Sequence, residues 1–460
     1  MAELTNNGSD SDPINAMSNT TYKGIHRIIN ITAAAGAFTD AYSITLISGA
    51  TFSVVPFLLK TTSNLSLAGT MLLIGAILGA LTMGRVVDVI GRRLTFILTL
   101  LAIFVLSIIS IFVTSITELY LVRFLIGFSL GADYPAAMSM VAELNPTAKR
   151  GQAMIYLWVS YTIGAMLGLI LGYVLYRTIG PVSYEWRIML GSAAVPALIG
   201  LLFRLRLPES PRWAIKMGKL DLASSEIYKL TGIKYSDSVL EATRKSFFTD
   251  QKVKIRKHYG AYSYRIVFVF LALMFMNLVP GALVVLNPTI LAALGISKAA
   301  ALLFSSLFLG VQLIAVLIVA FSVERVGRIV YGIVGGVLEG LFAILVIFLY
   351  HNALILLVLF SGVYFFSFLA IPVMRNAGAE IFPTEFRGLS SGIVMSGDRL
   401  AGVIGLLLTP ILFAGKNVTL LFSVYGVCGI LGAIFVFLTL YRLKVDKKSI
   451  ENIQEEILNS

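Results

Sequence analysis

The chain has 460 residues, of which 58% are hydrophobic and only 13% are charged. Its mean hydropathy is +0.89, whereas a soluble domain has about 25% charged residues. These values exclude a water-soluble globular protein, because there are too few polar residues to cover a surface that faces water. The formal net charge of +12 does not indicate nucleic-acid binding, because the basic residues are confined to particular loops.

Apolar runs long enough to cross a bilayer, which takes about 20 residues, recur along the whole chain. We predict about twelve spans, at residues 25–56, 65–86, 93–114, 118–141, 151–177, 187–206, 264–293, 298–322, 328–350, 352–374, 388–412 and 417–441. Short alternating strands, as a membrane barrel would need, are not found. The sequence therefore predicts an all-α membrane protein with its helices in two six-helix bundles.

A charged segment divides the predicted spans six and six. The expected parts are a disordered cytoplasmic N-terminus, an N-terminal bundle, a cytoplasmic linker, a C-terminal bundle and a cytoplasmic tail, at 1–22, 23–206, 207–263, 264–441 and 442–460. The linker contains a helix-like piece from Asp221 to Leu230, and we expect a solvated connection; the alternative is a regulatory docking site.

Lys and Arg are concentrated in alternate loops, around residues 84–93, 149–150, 204–265 and 325–328. By the positive-inside rule these loops face the cytoplasm. We therefore expect a multi-pass, monomeric protein of the cytoplasmic membrane, surrounded by lipid and with both termini inside.

The two halves carry an internal repeat. Residues 142–151 read AELNPTAKRG and residues 379–388 read AEIFPTEFRG, with six identical positions at an offset of 237 residues (379 minus 142). Asp88, Gly91 and Arg92 correspond to Glu324, Gly327 and Arg328 at nearly the same offset. Repeated halves are typical of secondary transporters, whose substrate site lies between the repeats, although channels also contain repeats.

The segment GRVVDVIGRR, residues 84–93, joins two predicted spans. Its glycines allow close helix approach and a tight turn, and its charges can pair with neighbouring helices. We predict a clasp that gates the cytoplasmic side; the alternative is a plain basic turn. The residues predicted to gate are Gly84, Asp88, Gly91, Arg92, Arg93, Glu143, Arg150, Glu324, Arg328, Glu380 and Arg387. Arg375 is expected to join the latch with Glu380.

Two aspartates lie near the middle of predicted spans. A charged side chain at the centre of a membrane helix costs at least about 2.5–3.5 kcal/mol, and burial disfavours the charged form of a carboxyl. We therefore predict that Asp40 and Asp133 couple transport to protons. The alternative for Asp133 is a structural pair, though not with Arg123, which lies ten residues away and so about 15 Å along the helix.

Other polar residues at membrane depth are candidates for substrate binding. Arg399 is either an anion clamp or a counter-ion for Asp40 or Asp133, and its neighbour Asp398 is expected to have a different partner. For Glu339 the sequence leaves two roles open, a structural one and a functional one. The predicted substrate-binding residues are Tyr134, Trp158, Tyr161, Asn277 and Arg399, and Tyr364 is a further candidate for lining a cavity.

Taken together, GRVVDVIGRR, RFLIGFSLGADYP, the repeated AELNPTAKRG and AEIFPTEFRG, and LPESPRW at 207–213 resemble the major facilitator superfamily, in particular its sugar-porter and phosphate:proton symporter relatives. In the phosphate carriers, the positions of Asp40 and Asp133 are associated with proton coupling and that of Tyr134 with phosphate. Arg399 falls where those carriers have a lysine. The chain departs from them in lacking an acidic residue in the seventh span, and it lacks the glutamine-rich signature of sugar porters.

The resemblance implies a secondary active transporter. We expect proton-coupled symport of a small polar metabolite, which could be a sugar, phosphate or an organic anion, by alternating access. The alternatives are a proton antiporter that exports a drug or metabolite, and a non-transporting nutrient sensor. An enzyme is not expected, since the sequence has neither an HExxH zinc motif nor a phosphate-binding GxxxxGK, and we expect no cofactor, metal or nucleic acid to bind.

Overall fold

The computed structural model describes residues 13–18, 20, 24–245, 259–380 and 387–438, and among these it contains helices and no strand. Within these ranges the structure does not describe some of the side chains. Those of the predicted gating residues Asp88, Arg150, Glu324, Glu380 and Arg387 are among the side chains that it does not describe.

The first half of the chain forms long helices, because a helix satisfies every backbone hydrogen bond within its own segment, as lipid requires. In chain order they are α1 (Pro13–Ser18), α2 (Gly24–Gly49), α3 (Thr51–Val54) with a π-helical turn (Val55–Leu59), α4 (Thr62–Ile90), α5 (Arg92–Ile111), α6 (Ile116–Leu144), α7 (Thr147–Thr178), α8 (Glu185–Gly191) and α9 (Ala194–Arg204). Three short helices follow, α10 (Pro211–Lys216), α11 (Leu220–Thr231) and α12 (237–245).

The second half repeats the arrangement. Its helices are α13 (Tyr259–Ala293), α14 (Lys298–Val326), α15 (Arg328–Leu349), α16 (Ala353–Glu380), α17 (Arg387–Leu412) and α18 (Val418–Val436), the last preceded by a short 3-10 turn (Ala414–Lys416).

By length and apolar composition, ten of the described helical segments can cross a membrane, or eleven when α2 and the bent segment after it count as one span. The predicted span that is not among these eleven is the fourth, at 118–141, which corresponds to the 29-residue helix α6. Within its length α6 carries four charged residues, Glu118, Arg123, Asp133 and Glu143.

Each half packs mainly within itself. In the first half α4 lies against α6 and α2 against α7, and in the second α13 lies against α17 and α15 against both α16 and α18. The halves meet where α4 contacts α17, α7 contacts α14 and α2 contacts α13.

Two equivalent glycine turns give the sequence repeat a counterpart in the backbone. Gly91 separates α4 from α5 with a φ of 112°, and Gly327 separates α14 from α15 with a φ of 99°. A positive φ is disfavoured for residues with a Cβ atom, so both turns need glycine. We call the end of the molecule that carries these two turns the basic end.

The residues after α9 pack on the basic end of the first bundle and are more than a solvated connection. The predicted helical piece from Asp221 to Leu230 lies within α11. Ile14 and Met17 of α1 are also buried there, so the expectation of a disordered N-terminus does not hold for residues 13–18. The buried apolar cluster includes Ile14, Met17, Val87, Phe96, Leu144, Trp213, Ile215, Ala223, Ile227, Leu230 and Leu240.

Candidate functional site

A narrow cavity lies between the two halves. Helices α2, α4 and α7 contribute its wall from the first half, and α13, α14, α16 and α17 from the second. Its polar lining residues are Tyr161, Asn277, Gln312, Tyr364, Arg375, Asp398 and Arg399. Of the predicted substrate-binding residues, Tyr161, Asn277 and Arg399 therefore face the cavity.

An ion pair joins the two halves at the cavity wall. The guanidinium of Arg399, on α17, donates to Oδ2 of Asp40, on α2. Oδ1 of Asp40 is buried and has no hydrogen-bond partner among the described residues. Of the alternatives open for Arg399, the structure therefore contains the pair with Asp40.

A second ion pair lies beside the first but within the second half. The Nε and Nη2 atoms of Arg375 donate to Asp398 at 2.9–3.0 Å. Asp398 and Arg399 thus have different partners, as expected for adjacent residues on a helix. The prediction that Arg375 forms a latch with Glu380 is wrong, because the guanidinium of Arg375 binds Asp398 instead.

Trp158 contacts the same arginine from the other half. The Cζ atom of Arg375 lies 4.4 Å from the centre of the Trp158 ring, and the indole N–H donates to Oδ1 of Asn376 at 3.2 Å. Tyr134 packs beside this indole, with ring centres 5.9 Å apart. Neither Trp158 nor Tyr134 is among the residues that line the cavity, so both support the wall rather than face the space inside it.

Asp133 lies away from the cavity, in a closed network inside the first half. Arg204, at the end of α9, donates to both of its carboxylate oxygens, and Thr99 donates to Oδ1 at 2.6 Å. The guanidinium also stacks on Phe96, with 3.9 Å between Cζ and the ring centre. Gly36 provides the room, since a Cβ atom there would lie 2.5 Å from Oδ2 of Asp133. Both charges of the pair are therefore compensated within one bundle.

At the basic end, Glu143 binds within the first half. Its Oε1 accepts from Nη2 of Arg92 at 2.8 Å, and its Oε2 accepts from the hydroxyl of Ser210. The inter-helix latch predicted for Glu143 therefore has Arg92 and Ser210 as partners; the predicted partner Arg150 has a side chain outside the described ones.

The LPESPRW segment binds the glycine turn directly. Oε1 of Glu209 accepts from the backbone N–H groups of Arg92 at 3.1 Å and Arg93 at 3.2 Å, which caps the start of α5. Trp213 covers Gly91 so closely that a Cβ atom there would lie 3.2 Å from the indole. These contacts join the two sequence motifs into one unit of the first half.

The rest of the predicted gate is only partly visible. Gly84 lies within α4, and Arg328 begins α15. The side chains of Asp88, Glu324, Glu380 and Arg387 are outside the described ones, so a clasp between the halves at the basic end stays a prediction.

Three residues that the structure brings into or near the site are absent from the sites predicted from the sequence. Gln312, on α14, lines the cavity and donates to the hydroxyl of Thr162, on α7, at 3.1 Å. Asn376 accepts from Trp158, and Arg204 holds Asp133. A lone amide in an apolar helix was a usable signal for Gln312. Arg204 offered none, because it reads as one more basic residue at a span end.

A family model described as sugar (and other) transporter matches residues 10–456. The chain belongs to this sugar transporter family of the major facilitator superfamily.

Individual relatives of this transporter are metabolite carriers. It is 30% identical over 402 residues to the putative metabolite transport protein YaaU of Escherichia coli strain K12, covering 85% of this chain and 86% of YaaU. It is 26% identical over 385 residues to the major myo-inositol transporter IolT of Bacillus subtilis strain 168, covering 80% and 81%.

Among solved structures, the proton:xylose symporter XylE bound to 6-bromo-6-deoxy-D-glucose matches with a TM-score of 0.79 at 20% identity, covering 94% of this chain and 99% of XylE. At that identity the match establishes the fold alone. The predicted all-α membrane fold of two bundles is confirmed, and the chain is a multi-pass membrane transporter rather than an enzyme.

Proposed function

We propose that this sugar-type transporter is a proton-coupled symporter of a small polar metabolite. It works by alternating access in the cytoplasmic membrane, as a monomer with both termini inside. The observation that carries the proposal is the Asp40–Arg399 ion pair, which links the two halves at the wall of the cavity. A contact that must break when the halves move apart is a suitable place for proton binding to control that movement.

The charges around the cavity explain how a proton would act. Arg375 and Arg399 balance Asp40 and Asp398, so the group is neutral when all four are ionised. Protonation of Asp40 removes the charge that holds Arg399 and leaves guanidinium donors directed at the cavity. A substrate oxygen can then accept them. Proton and substrate therefore favour each other's binding, as the reciprocity of binding free energies requires.

We assign the coupling to Asp40 in preference to Asp133. The two carboxylate oxygens of Asp133 are held by Arg204 and Thr99 inside one bundle, and neither partner changes when the halves rock as rigid bodies. Among the described residues the carboxylate of Asp40 has one hydrogen-bond partner, Arg399, and that partner belongs to the other half.

A sugar or polyol is the first candidate for the substrate. The amides of Asn277 and Gln312 and the hydroxyls of Tyr161 and Tyr364 offer both donors and acceptors, which suits a solute with several hydroxyl groups. Relatives named as transporters of glucose and of myo-inositol support this class. A small anion, including phosphate, is the second candidate, because Arg399 borders the cavity and can hold an anion once Asp40 is neutral.

The test is uptake by the purified protein in liposomes, with and without an inward proton gradient. Labelled glucose, xylose, myo-inositol, phosphate and small carboxylates are the probes. For the probe that is transported, Asp40→Asn should abolish accumulation driven by the gradient and keep counterflow exchange, which needs no net proton movement. Asp398→Asn is the matched control, since it removes another buried carboxylate, whose partner Arg375 lies on the same half; it should impair both modes together. Normal accumulation by Asp40→Asn contradicts the proposal. A probe that is exported but never taken up supports the alternative function, a proton antiporter that exports a drug or metabolite.

Arg399 separates the two substrate classes. If Arg399 binds an anion, Arg399→Gln should raise the apparent KM for that substrate by about tenfold or more, as expected for the loss of one charge-assisted hydrogen bond. Arg399→Lys should restore part of the lost affinity. If it only balances Asp40, Arg399→Gln should leave the apparent KM nearly unchanged and alter the pH dependence of uptake, because Asp40 has then lost its counter-charge. A variant that changes neither quantity rules out both roles.

A further inference from the structure

The guanidinium of Arg375, on α16, lies at the wall of the cavity with one of its nitrogens unused. Its side chain is 2% exposed, and its Nε and Nη2 atoms donate to Asp398, on α17. The remaining nitrogen, Nη1, is buried and has no hydrogen-bond partner among the described residues. A buried donor that lacks an acceptor is unfavourable. Nη1 therefore marks a position at which a ligand can supply the acceptor.

Aromatic rings hold this guanidinium in place. Its Cζ atom lies 4.4 Å from the ring centre of Trp158, 5.5 Å from that of Tyr161 and 5.7 Å from that of Phe368. Tyr161 and Phe368 line the cavity together with Arg375. Because Asp398 binds one edge of the planar group and the rings surround it, the group is fixed before any ligand arrives. A donor fixed in this way loses little conformational freedom when it binds.

Asp398 lines the same cavity and offers an acceptor beside this donor. Its Oδ1 accepts from both Nε and Nη2 of Arg375, whereas its Oδ2 accepts from Nη2, at 3.0 Å. A carboxylate oxygen can accept more than one hydrogen bond, so Oδ2 keeps capacity for a further donor. Asn277, on α13, donates to the backbone oxygen of Asp398 at 3.0 Å and so ties this part of α17 to a third helix.

The charge of the pair selects the kind of ligand. Arg375 and Asp398 cancel each other, so an anion that binds Nη1 also meets the carboxylate beside it. A hydroxyl group carries no charge and can both accept and donate. Two neighbouring hydroxyl groups suit the pair, one accepting from Nη1 and the other donating to Oδ2. Arg399 differs, because its guanidinium is bound to Asp40 of the other half.

We propose that Arg375 and Asp398 form a fixed subsite for two neighbouring hydroxyl groups of a sugar or polyol, with Nη1 of Arg375 as the donor and Oδ2 of Asp398 as the acceptor. The inference rests on the proposed transport of a small polar metabolite and names its substrate class. Both residues belong to the second half, so the subsite keeps its geometry whichever side of the membrane the cavity opens to.

Equilibrium binding to the purified protein, measured by calorimetry without a proton gradient, tests the subsite. Glucose, xylose and myo-inositol are the probes. For the probe that binds most tightly, Arg375→Lys should raise the Kd by about tenfold or more, as expected for the loss of one charge-assisted hydrogen bond. Its thermal midpoint should stay near that of the wild type, because the ammonium keeps the ion pair with Asp398 but has a single nitrogen. A purely structural role would leave the Kd of this variant unchanged.

Two further variants make the binding test robust. Arg187→Lys is the matched control, because Arg187 also lies over a tryptophan ring, 4.2 Å from that of Trp186, but is not among the residues that line the cavity; its Kd should equal that of the wild type. If Arg375→Lys does not fold, the double variant Arg375→Gln with Asp398→Asn replaces it. This variant leaves no uncompensated charge and should show the same loss of binding.

Deoxy analogues of the bound sugar identify the contact itself. One analogue, which lacks the hydroxyl that accepts from Nη1, should bind the wild type about tenfold more weakly than the parent sugar. The two should bind Arg375→Lys alike, since the contact is already gone. The subsite is overturned by a wild-type Kd in Arg375→Lys, by an equal analogue penalty in both proteins, or by binding of phosphate with none of the three probes. A protein that binds sugar but does not accumulate it under a proton gradient keeps the subsite and loses the coupling proposed for Asp40.

Discussion

Replacement of Asp133 by Asn should destabilise the protein far more than the same change at Asp40. The side chain of Arg204 is 0% exposed, so Asp133→Asn leaves a guanidinium charge in the interior without its carboxylate. Loss of one partner from a buried pair costs about 3–5 kcal/mol. Arg399 borders the cavity, where water can solvate its charge, and Asp40→Asn should cost only about 1–3 kcal/mol.

Thermal stability in detergent measures this difference. The fraction of each variant that remains monodisperse after heating gives a midpoint for Asp133→Asn, Asp40→Asn and the wild type. A double variant, Asp133→Leu with Arg204→Met, removes both charges and should recover much of the stability lost in the single variants, since no uncompensated charge is left.

Two results would refute this reasoning. The first is an Asp133→Asn protein as stable as Asp40→Asn, which would mean that Arg204 finds another anion or water. The second is an Asp133→Asn protein of normal stability that loses accumulation while Asp40→Asn keeps it. That outcome would move the coupling carboxyl from Asp40 to Asp133.

Three further predictions concern the basic end and the wall of the cavity. Gly91→Ala should lower thermal stability by more than about 1 kcal/mol, because Gly91 has a φ of 112° and little room beside Trp213. Gly180→Ala should cost less, because Gly180 has a φ of 81° but open space around it. Equal unfolding midpoints for the two variants would refute the packing argument. Glu209→Gln should cost about 1 kcal/mol through the weakened cap of α5, and an unchanged midpoint would show that the cap contributes nothing. Gln312→Leu should weaken uptake of a hydroxyl-rich substrate without lowering stability, and normal uptake would remove Gln312 from the substrate site.

The sequence was sufficient for features that depend on composition and local backbone. The length of the apolar runs predicted the helices, and Gly91 predicted the tight turn after α4, because a turn depends on the few residues within it. The adjacency of Asp398 and Arg399 likewise predicted different partners, since neighbours on a helix point about 100° apart.

The partners themselves could not be predicted in the same way. Which side chains meet depends on how each helix is rotated and tilted against the others, and that is set by packing over whole helix faces. Arg204 lies 71 residues from Asp133 along the chain and looked like an ordinary interfacial charge. The position of Arg375 at the cytoplasmic end of the tenth predicted span favours a latch with Glu380, yet its guanidinium binds Asp398 on the next helix.

The contact between Trp158 and Arg375 makes Trp158 an intrinsic fluorescence probe of movement between the two halves. Each of the three tryptophans has a cation near its ring: Trp158 with Arg375, Trp186 with Arg187, and Trp213 with Lys219. In the last two pairs the cation is close along the chain and moves with the ring. Among these three described pairs, the one at Trp158 joins opposite halves, so the fluorescence of this indole should change whenever the halves move relative to each other. With Trp186 and Trp213 replaced by Phe, emission from this single indole would follow each half-cycle of transport in real time, without any attached dye.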